Sequence, residues 1–562
     1  LSHLRAFAAT PATNSASETT SASTWHSAAQ VTNFGMNQTM VGLKTHSINL
    51  YQELAEDPDY PINYHHADGG IRLANTQAQM DGYHHFASMA RGMDVHFEVI
   101  DAEECARRHP LISTDNLVGG LWDPLDGDID PAQLCQALAR RARKAGAEVY
   151  RHTPVTGLKQ HADDTWTVET TKGNIDCDVV INACGYRVNE VGAMMGVHHP
   201  VMSMEHQYML TDTIPDIENA DHRMPLLRCP ISDYYCRQEK NGLLVGFYEQ
   251  DCRTWGMDGI DPHFVNALCP DDLDRVIDVL EGAFARMPAL QDVGIHTVVN
   301  GPITYTIDGA PLVGQIPGKR NAYCIIGLRA GLGEGGGHGW LLAQQIVHGE
   351  ACYDTWVLDP RRFTEHGNVE LCALKAIEDY QNEFRFHFPN EHRPAGRYAK
   401  TTPLTPVLEA EGAEFTVVNG WERAEFFKPS ADFHVTHGFK FDEAHSIVAA
   451  EVAAVQRMIQ EGGGHPASAL LLTHLKLTRT VARTASDHFG CSRAPKVVGE
   501  EVEGRRCDGA DGRHVRAPQV GLRWPPRRHK IPLALRQIGY ETPTGSLVSR
   551  HIDNGTMDSS SI

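Results

Sequence analysis

The residues with the most chemistry to offer in this chain are its histidines and one run of glycines. There are 31 histidines among 562 residues. Six of them stand in adjacent pairs, His65-His66, His84-His85 and His198-His199. Neighbouring residues point to different sides of a helix or strand, so these pairs are poor chelators. His26 is placed differently, in "STWHSAAQ", between Trp25 and a series of small residues. It reads either as an ordinary surface histidine or as a chemical attachment point. "DGDID", Asp126 to Asp130, looks like the start of a calcium loop. Its sixth and twelfth positions are Pro131 and Ala137, where Gly and Glu are needed, so no metal site is expected.

Seven glycines lie between Gly327 and Gly339 in "IIGLRAGLGEGGGHGW". Glycine lets a backbone approach a ligand closely and adopt positive φ. The pattern predicts a strand over Tyr323 to Ile326, a glycine loop, and an apolar helix from Trp340 to Val347. Such a helix would aim its positive N-terminal end and free N–H groups at a bound group. The segment reads as a cofactor cradle or as a flexible loop. Gly331, Gly333 and Gly336 match GxGxxG by letter, but no acidic residue follows them in a βαβ setting.

The elements that must hold these residues read as α/β (α+β). "DIDPAQLCQALARRARKAGAEVYRH" predicts a helix capped by Asp130, with Pro131 in its first position and Lys144 and Gly146 at its end. Leu134, Leu138, Ala142 and Ala145 share its apolar face, and "AEVYRH" should follow as a strand. "TWTVETTKGNIDCDVVINACG" predicts a hairpin and then a buried strand from Val179 to Ala183. The net charge of −21 argues against a general nucleic-acid binder, which needs a basic face. No apolar run approaches the roughly 20 residues that cross a bilayer. Thirteen cysteines without a CxxC pair read as free thiols.

The organisation expected is a disordered or non-native N-terminus over 1–17 and a compact α/β domain over 18–365. A partial α/β module follows over 366–460, with a helix from about Glu443 to Ile459. The arginine-rich tail over 461–562 is expected to be disordered. The chain begins with Leu1, which reads as an incomplete sequence.

Several stretches, in order, resemble the dimethylglycine and sarcosine dehydrogenase family. They include "TSASTWHSAAQ", "LYQELAED", "GGIRLANT", "GGLWDPLDGDIDPAQL", "VINACGYRVNEVGAMMG", "MEHQYMLTD", "GLLVGFYE", "VVNGPITYTIDGAPLVG", "LDPRRF" and "GWERAEFF". The family joins an FAD-dependent, D-amino-acid-oxidase-like half to a folate-binding half related to aminomethyltransferases. The resemblance implies FAD-dependent oxidation of a small N-methylated amino acid, with hydride passing to the flavin. It implies a covalent flavin bond at His26, a neutral imidazole nitrogen being a competent nucleophile near pH 7. Ser23, Thr24, Trp25, Val155, Gly185, Asp308, Gly327, Gly331 and Leu332 are the implied cofactor contacts.

His206 and Tyr235 are the implied catalytic pair, and Arg237 and Tyr248 the implied substrate contacts. An electron-transfer flavoprotein is the implied electron acceptor, and tetrahydrofolate a further ligand of complete relatives. Mitochondrial matrix and bacterial cytoplasm both stay open. The family's first βαβ unit should lie before Ser21, where about seventeen unrelated residues stand, and its folate core after Gln456. The chain therefore reads as truncated at both ends. A second reading is a non-catalytic relative, like the regulatory subunit of pyruvate dehydrogenase phosphatase, or an inactive fragment.

Overall fold

Alternation of apolar and polar side chains along neighbouring strands decides what the centre of this molecule can hold. The computed structural model describes residues 20, 22–35, 37–363, 366–385, 387–418 and 420–461. The expectations for residues 1–17 and for the arginine-rich tail lie outside them. The largest sheet has nine strands. In chain order these are β1 (Gly70–Ala74), β2 (Glu98–Asp101), β3 (Gly119–Asp123), β4 (Val201–Thr211) and β5 (Leu226–Cys229). Then come β6 (Tyr234–Glu239), β7 (Gly242–Phe247), β8 (Thr254–Trp255) and β9 (Ile295–Thr306). Their spatial order is β8-β4-β7-β6-β5-β1-β3-β2, and β9 pairs with β4.

Successive side chains leave a strand on opposite faces. Ile71 and Leu73 of β1, Leu227 and Cys229 of β5, Tyr234 and Cys236 of β6, and Leu243 and Val245 of β7 share one buried cluster. The helix Ile277–Arg286 covers it with Val279, Leu280 and Ala283. The intervening residues face the other way. Register places Arg72 beside Arg228 and Arg228 beside Tyr235, so these three project from one face in a row. β4 and β9 form a long antiparallel ladder in which His206 stands opposite Gly301.

Four helices complete the frame of the site. α1 spans Gln38–Ala55, with Asn37 capping Met40 N–H at 3.0 Å. α2 spans Pro131–Lys144 as its sequence predicts, capped by Asp130 on Gln133 N–H at 2.9 Å. α3 spans Gly331–His348 and α4 spans Val369–Gln381. The predicted hairpin forms between Trp166–Thr170 and Gly173–Cys177. The buried strand is Val180–Asn182, parallel to Ala322–Ile326, which pairs in turn with Leu312–Gln315. Beyond α4 lie a hairpin (Ala413–Val418 and Trp421–Phe427) and a helix, α5 (Ala444–Glu461).

Two local expectations are corrected. "AEVYRH" is not a strand: no strand among the described residues pairs with it, and Val149 and Tyr150 are 39% and 53% exposed. An extended segment without a ladder has nowhere to place its backbone hydrogen bonds except solvent. The glycine run is not a loop either, since α3 begins at Gly331 and contains six of the seven glycines. Packing explains this. A Cβ on Gly337 would lie 2.0 Å from Leu43 O of α1, and one on Gly336 would press on Ser47, Leu50 and Tyr51. The glycines are helical because they let α3 lie against α1 backbone to backbone, and Gly337 N–H donates to Ser47 Oγ at 2.9 Å. Among the described residues no helix is long and apolar enough to cross a membrane, and no group of three or more His, Cys, Asp or Glu could hold a metal.

Candidate active site

The sheet face opposite the apolar cluster opens into a cavity of about 1560 Å³. Pockets for one small ligand run to roughly 300–1,000 Å³, so this one has room for a large cofactor and a small substrate together. His26 lines it from the short loop before Gln30–Val31. The ring is 6% exposed, and its Nε2 has no hydrogen-bond partner among the described residues. Burial lowers its pKa to about 4, so the imidazole is neutral at physiological pH. Gly301 makes the space: a Cβ there would lie 2.3 Å from His26 Cε1. Ser23 Oγ ties the loop to β9 by donating to Pro302 O at 2.5 Å.

Opposite Gly301 on β4, His206 reaches into the same space. Its Nε2 lies 2.9 Å from Tyr235 Oη, and its Nδ1 lies 3.0 Å from Tyr380 Oη. Tyr380 comes from α4, and its hydroxyl also meets Glu249 Oε2 at 2.9 Å and Phe247 O at 3.2 Å. Arg275 Nε donates to the other oxygen of Glu249 at 2.8 Å. A backbone carbonyl and a carboxylate can only accept, so the Tyr380 proton points to them. Tyr380 oxygen then accepts from His206 Nδ1–H, and His206 Nε2 accepts from Tyr235. The network thus assigns both the tautomer of His206 and the direction of every proton in it.

Burial, with the charges of His26 and Arg275, lowers His206 to about 3, and burial pushes Tyr235 well up. Burial also pushes Glu249 up. Rings complete the chamber: Tyr248 lies 4.7 Å from His206, 4.9 Å from Tyr380 and 5.0 Å from Phe384, centroid to centroid. Glu383 lines it too, 2.8 Å from Arg329, with its carboxyl raised to about 7 chiefly by burial.

The structure brings together most of the residues singled out in the sequence. Ser23, Thr24, His26, Gly185, His206, Tyr235, Tyr248, Asp308, Gly327, Gly331 and Leu332 all line the cavity. Gly185 and Gly327 carry positive φ, and Arg362 grips Asp308 with two nitrogens at 2.8 and 2.9 Å. Three of the singled-out residues stand off the cavity. Trp25 is 37% exposed and sits edge-on behind His26, because the loop turns its ring outward. Val155 is a core residue, packed with Val168 and Val180, and does not line the cavity.

Arg237 is also off the cavity. Its Nε donates to Ala28 O at 2.7 Å and its Nη1 to Glu239 at 2.7 Å, so it braces the His26 loop. Tyr380, Glu249, Arg275 and Glu383 were not among the sequence candidates. Their only signal was burial-prone aromatic and charged residues alternating with apolar ones, which is common in ordinary cores.

The residues present fit the ring end of a flavin. His26, a buried neutral imidazole whose Nε2 has no partner among the described residues, lines the cavity, as do Gly185, Gly327 and the first turn of α3. A family model described as "FAD dependent oxidoreductase" matches residues 14–345. A second, "FAD dependent oxidoreductase central domain", matches 348–402. The chain belongs to the FAD dependent oxidoreductase family. Within it, the chain is 36% identical over 431 residues to dimethylglycine dehydrogenase, mitochondrial, of Rattus norvegicus, covering 75% of this chain and 50% of that one. It is 32% identical over 421 residues to the human sarcosine dehydrogenase, mitochondrial, covering 73% and 45%. The chain therefore spans about half the length of these curated relatives. Its fold is similar to that of L-proline dehydrogenase from P. horikoshii, with a TM-score of 0.53 and 22% identity over 61% of this chain and 87% of that one.

Proposed function

We propose that this chain uses FAD to oxidise a small N-methylated amino acid of the dimethylglycine or sarcosine type. The observation that carries the reading is the polarised series Glu249–Tyr380–His206–Tyr235, ending in the cavity beside His26. Bound FAD supplies a two-electron acceptor for the hydride of an amine's N-methyl group. His26 would hold its ring covalently, and Gly185, Gly327, Gly331 and Leu332 would flank it.

An ammonium cannot give up a hydride, so the site must first take a proton. Tyr235 directs its own hydroxyl proton to His206 Nε2, which leaves its oxygen lone pairs facing the substrate. As the ammonium proton reaches Tyr235 oxygen, the hydroxyl proton moves to His206 Nε2. The imidazolium that forms is stabilised through Tyr380 by the Glu249 carboxylate. Burial weakens the ammonium's own hold on its proton, which offsets the low basicity of His206. Tyr248, Tyr235 and Phe384 exclude water and offer ring faces to the methylated nitrogen. The mitochondrial names of the relatives support a mitochondrial location.

The test is anaerobic mixing of the flavin-loaded protein with dimethylglycine and with sarcosine. Bleaching of the flavin's visible absorbance by either is the expected result. An unchanged spectrum with both amines would overturn the assignment.

A further inference from the structure

Charges buried in proteins are paired, because an isolated ion out of water costs several kcal/mol. Five cations that line the cavity follow this rule. Lys44, Arg228, Arg329, Arg362 and Lys375 each have a carboxylate oxygen within 3.3 Å. Arg72 lines the same cavity, yet among the described residues no carboxylate lies within 4 Å of its guanidinium. Its close neighbour is the ring of Phe34, 4.0 Å from Cζ to centroid.

The charge count around it does not close either. Burial and the neighbouring Asp126 push Asp123 well above the usual carboxylate range. Asp126 is held below it, because Arg228, the bond to Asp123 and the more distant Arg72 together outweigh its burial. The two carboxyls therefore present one negative charge, and Arg228 claims it at 2.7 Å. Arg72 and Arg228 bring two positive charges, so one is left over and faces the cavity. Burial lowers Arg72 only to about 10, which leaves it charged at neutral pH.

Its place in the sheet says what that charge could serve. Arg72, Arg228 and Tyr235 form one row across β1, β5 and β6, all on the cavity face. Neighbouring strands are about 4.8 Å apart, so the leftover cation lies two strands from the hydroxyl that takes the amine's proton. We propose that Arg72, with Arg228 beside it, is the subsite for the substrate's carboxylate. A guanidinium fork matches a carboxylate in two-point contact, and stacking on Phe34 holds the fork flat towards the cavity. Arg237, the carboxylate partner expected from the sequence, is occupied by Ala28 O and Glu239 and lies off the cavity. This inference rests on reading the cavity as an amino-acid-oxidising site. The competing source of negative charge is the cofactor itself.

The experiment is calorimetric titration of the flavin-loaded full chain with methoxyacetate and with methoxyacetamide. Both carry an ether in place of the amine, so neither is oxidised, and only the first is charged. The wild type should prefer methoxyacetate by about tenfold or more, the worth of one charge-assisted contact. Arg72→Met should bring the two within about twofold, and Arg72→Lys, which keeps the charge but loses the fork, should fall between. Flavin content per chain should stay at the wild-type level in both variants. An Arg72→Met protein that keeps the tenfold preference overturns the proposal. So does loss of flavin from the variants with the preference intact in the loaded fraction, which would assign the cation to the cofactor. A wild type that is bleached by amines but shows no preference removes the subsite and spares the oxidase reading. A wild type inert to amines and blind to both ligands removes that reading as well. If Arg72→Met does not fold, Arg72→Lys alone decides, since a full tenfold preference there means the fork has no role.

Discussion

At the scale of single residues, the site works by fixing where protons sit before any substrate arrives. Tyr380 has no need to touch substrate; its hydroxyl sets the tautomer of His206 from behind. Tyr235 is the group that meets the amine. Graded effects should follow. Tyr235→Phe should slow anaerobic flavin reduction by about 10²–10⁴-fold, the usual worth of a positioned proton acceptor. Tyr380→Phe should cost about fivefold, since one neutral hydrogen bond is worth roughly 1 kcal/mol. Stopped-flow reduction rates at saturating substrate check both, and equal losses would mean that Tyr380 acts on the substrate directly. Much of this was legible in the sequence. His26, His206, Tyr235 and Tyr248 stand in recognisable stretches and converge in space. Arg237 shares a face of β6 with Tyr235, but its hydrogen bond to Ala28 O turns it to the His26 loop, which strand alternation alone does not show. Arg72 was not singled out, because its neighbours Arg228 and Tyr235 are set beside it by strand pairing that its own stretch of sequence does not show.

At the scale of elements, the glycine-rich helix α3 is the clearest case of packing overriding local preference. Glycine disfavours helices by about 1 kcal/mol relative to Ala, so a run of them reads as a loop. α1 reverses that reading, because only glycine lets its backbone come so near. The two kinds of glycine in α3 should separate cleanly under substitution. Gly337→Ala would place a Cβ 2.0 Å from Leu43 O and should destabilise the protein by about 3 kcal/mol or more. Gly339→Ala meets nothing within 4 Å and should stabilise it by about 0.4–1 kcal/mol. Denaturant midpoints of the two variants against wild type measure this, and matching shifts would dismiss the packing account. The helix α2, by contrast, was readable at both ends, since its cap and first-turn proline are local signals, whereas of its expected apolar face Leu134 is buried and Ala145 is exposed beyond the last turn. "AEVYRH" was misread because a strand is a property of two segments, and its own letters cannot supply the second.

At the scale of the whole molecule, buried histidines tie stability to pH. Burial lowers His26, His109 and His199 to about 4 and His206 to about 3. The unfolded chain would protonate the same residues near 6.5. Between those values the unfolded state binds more protons, so this contribution is complete above pH 6.5 and is lost as pH falls towards 4. Buried carboxyls work in the opposite sense: Asp233, raised to about 6, and Glu383, raised to about 7, favour the folded state at low pH and lose that share as pH rises through those values. His109 isolates one side of the balance. It is fully buried and neither ring nitrogen has a partner among the described residues. His109→Leu should gain stability over wild type as the buffer moves from pH 6.5 to 4, by up to about 1.4 kcal/mol per pH unit. Urea midpoints at several pH values report the difference, and two parallel curves would show that His109 carries no such linkage.

The bond between His206 and Tyr380 joins residues 174 positions apart, from a strand in the middle of the described chain to a helix well after it. Proteins are made from one end, at about 5–20 residues per second. His26, His206 and Tyr235 therefore leave the ribosome first, and α4 follows roughly 10 to 35 s later. During that interval a nascent chain has His206 and Tyr235 but neither the hydroxyl that sets their protons nor Glu383 and Phe384, which wall the chamber beside it. The last turn of α4 thus closes the pocket and sets its protons in one step, because Tyr380 and the residues that follow it wall the same chamber.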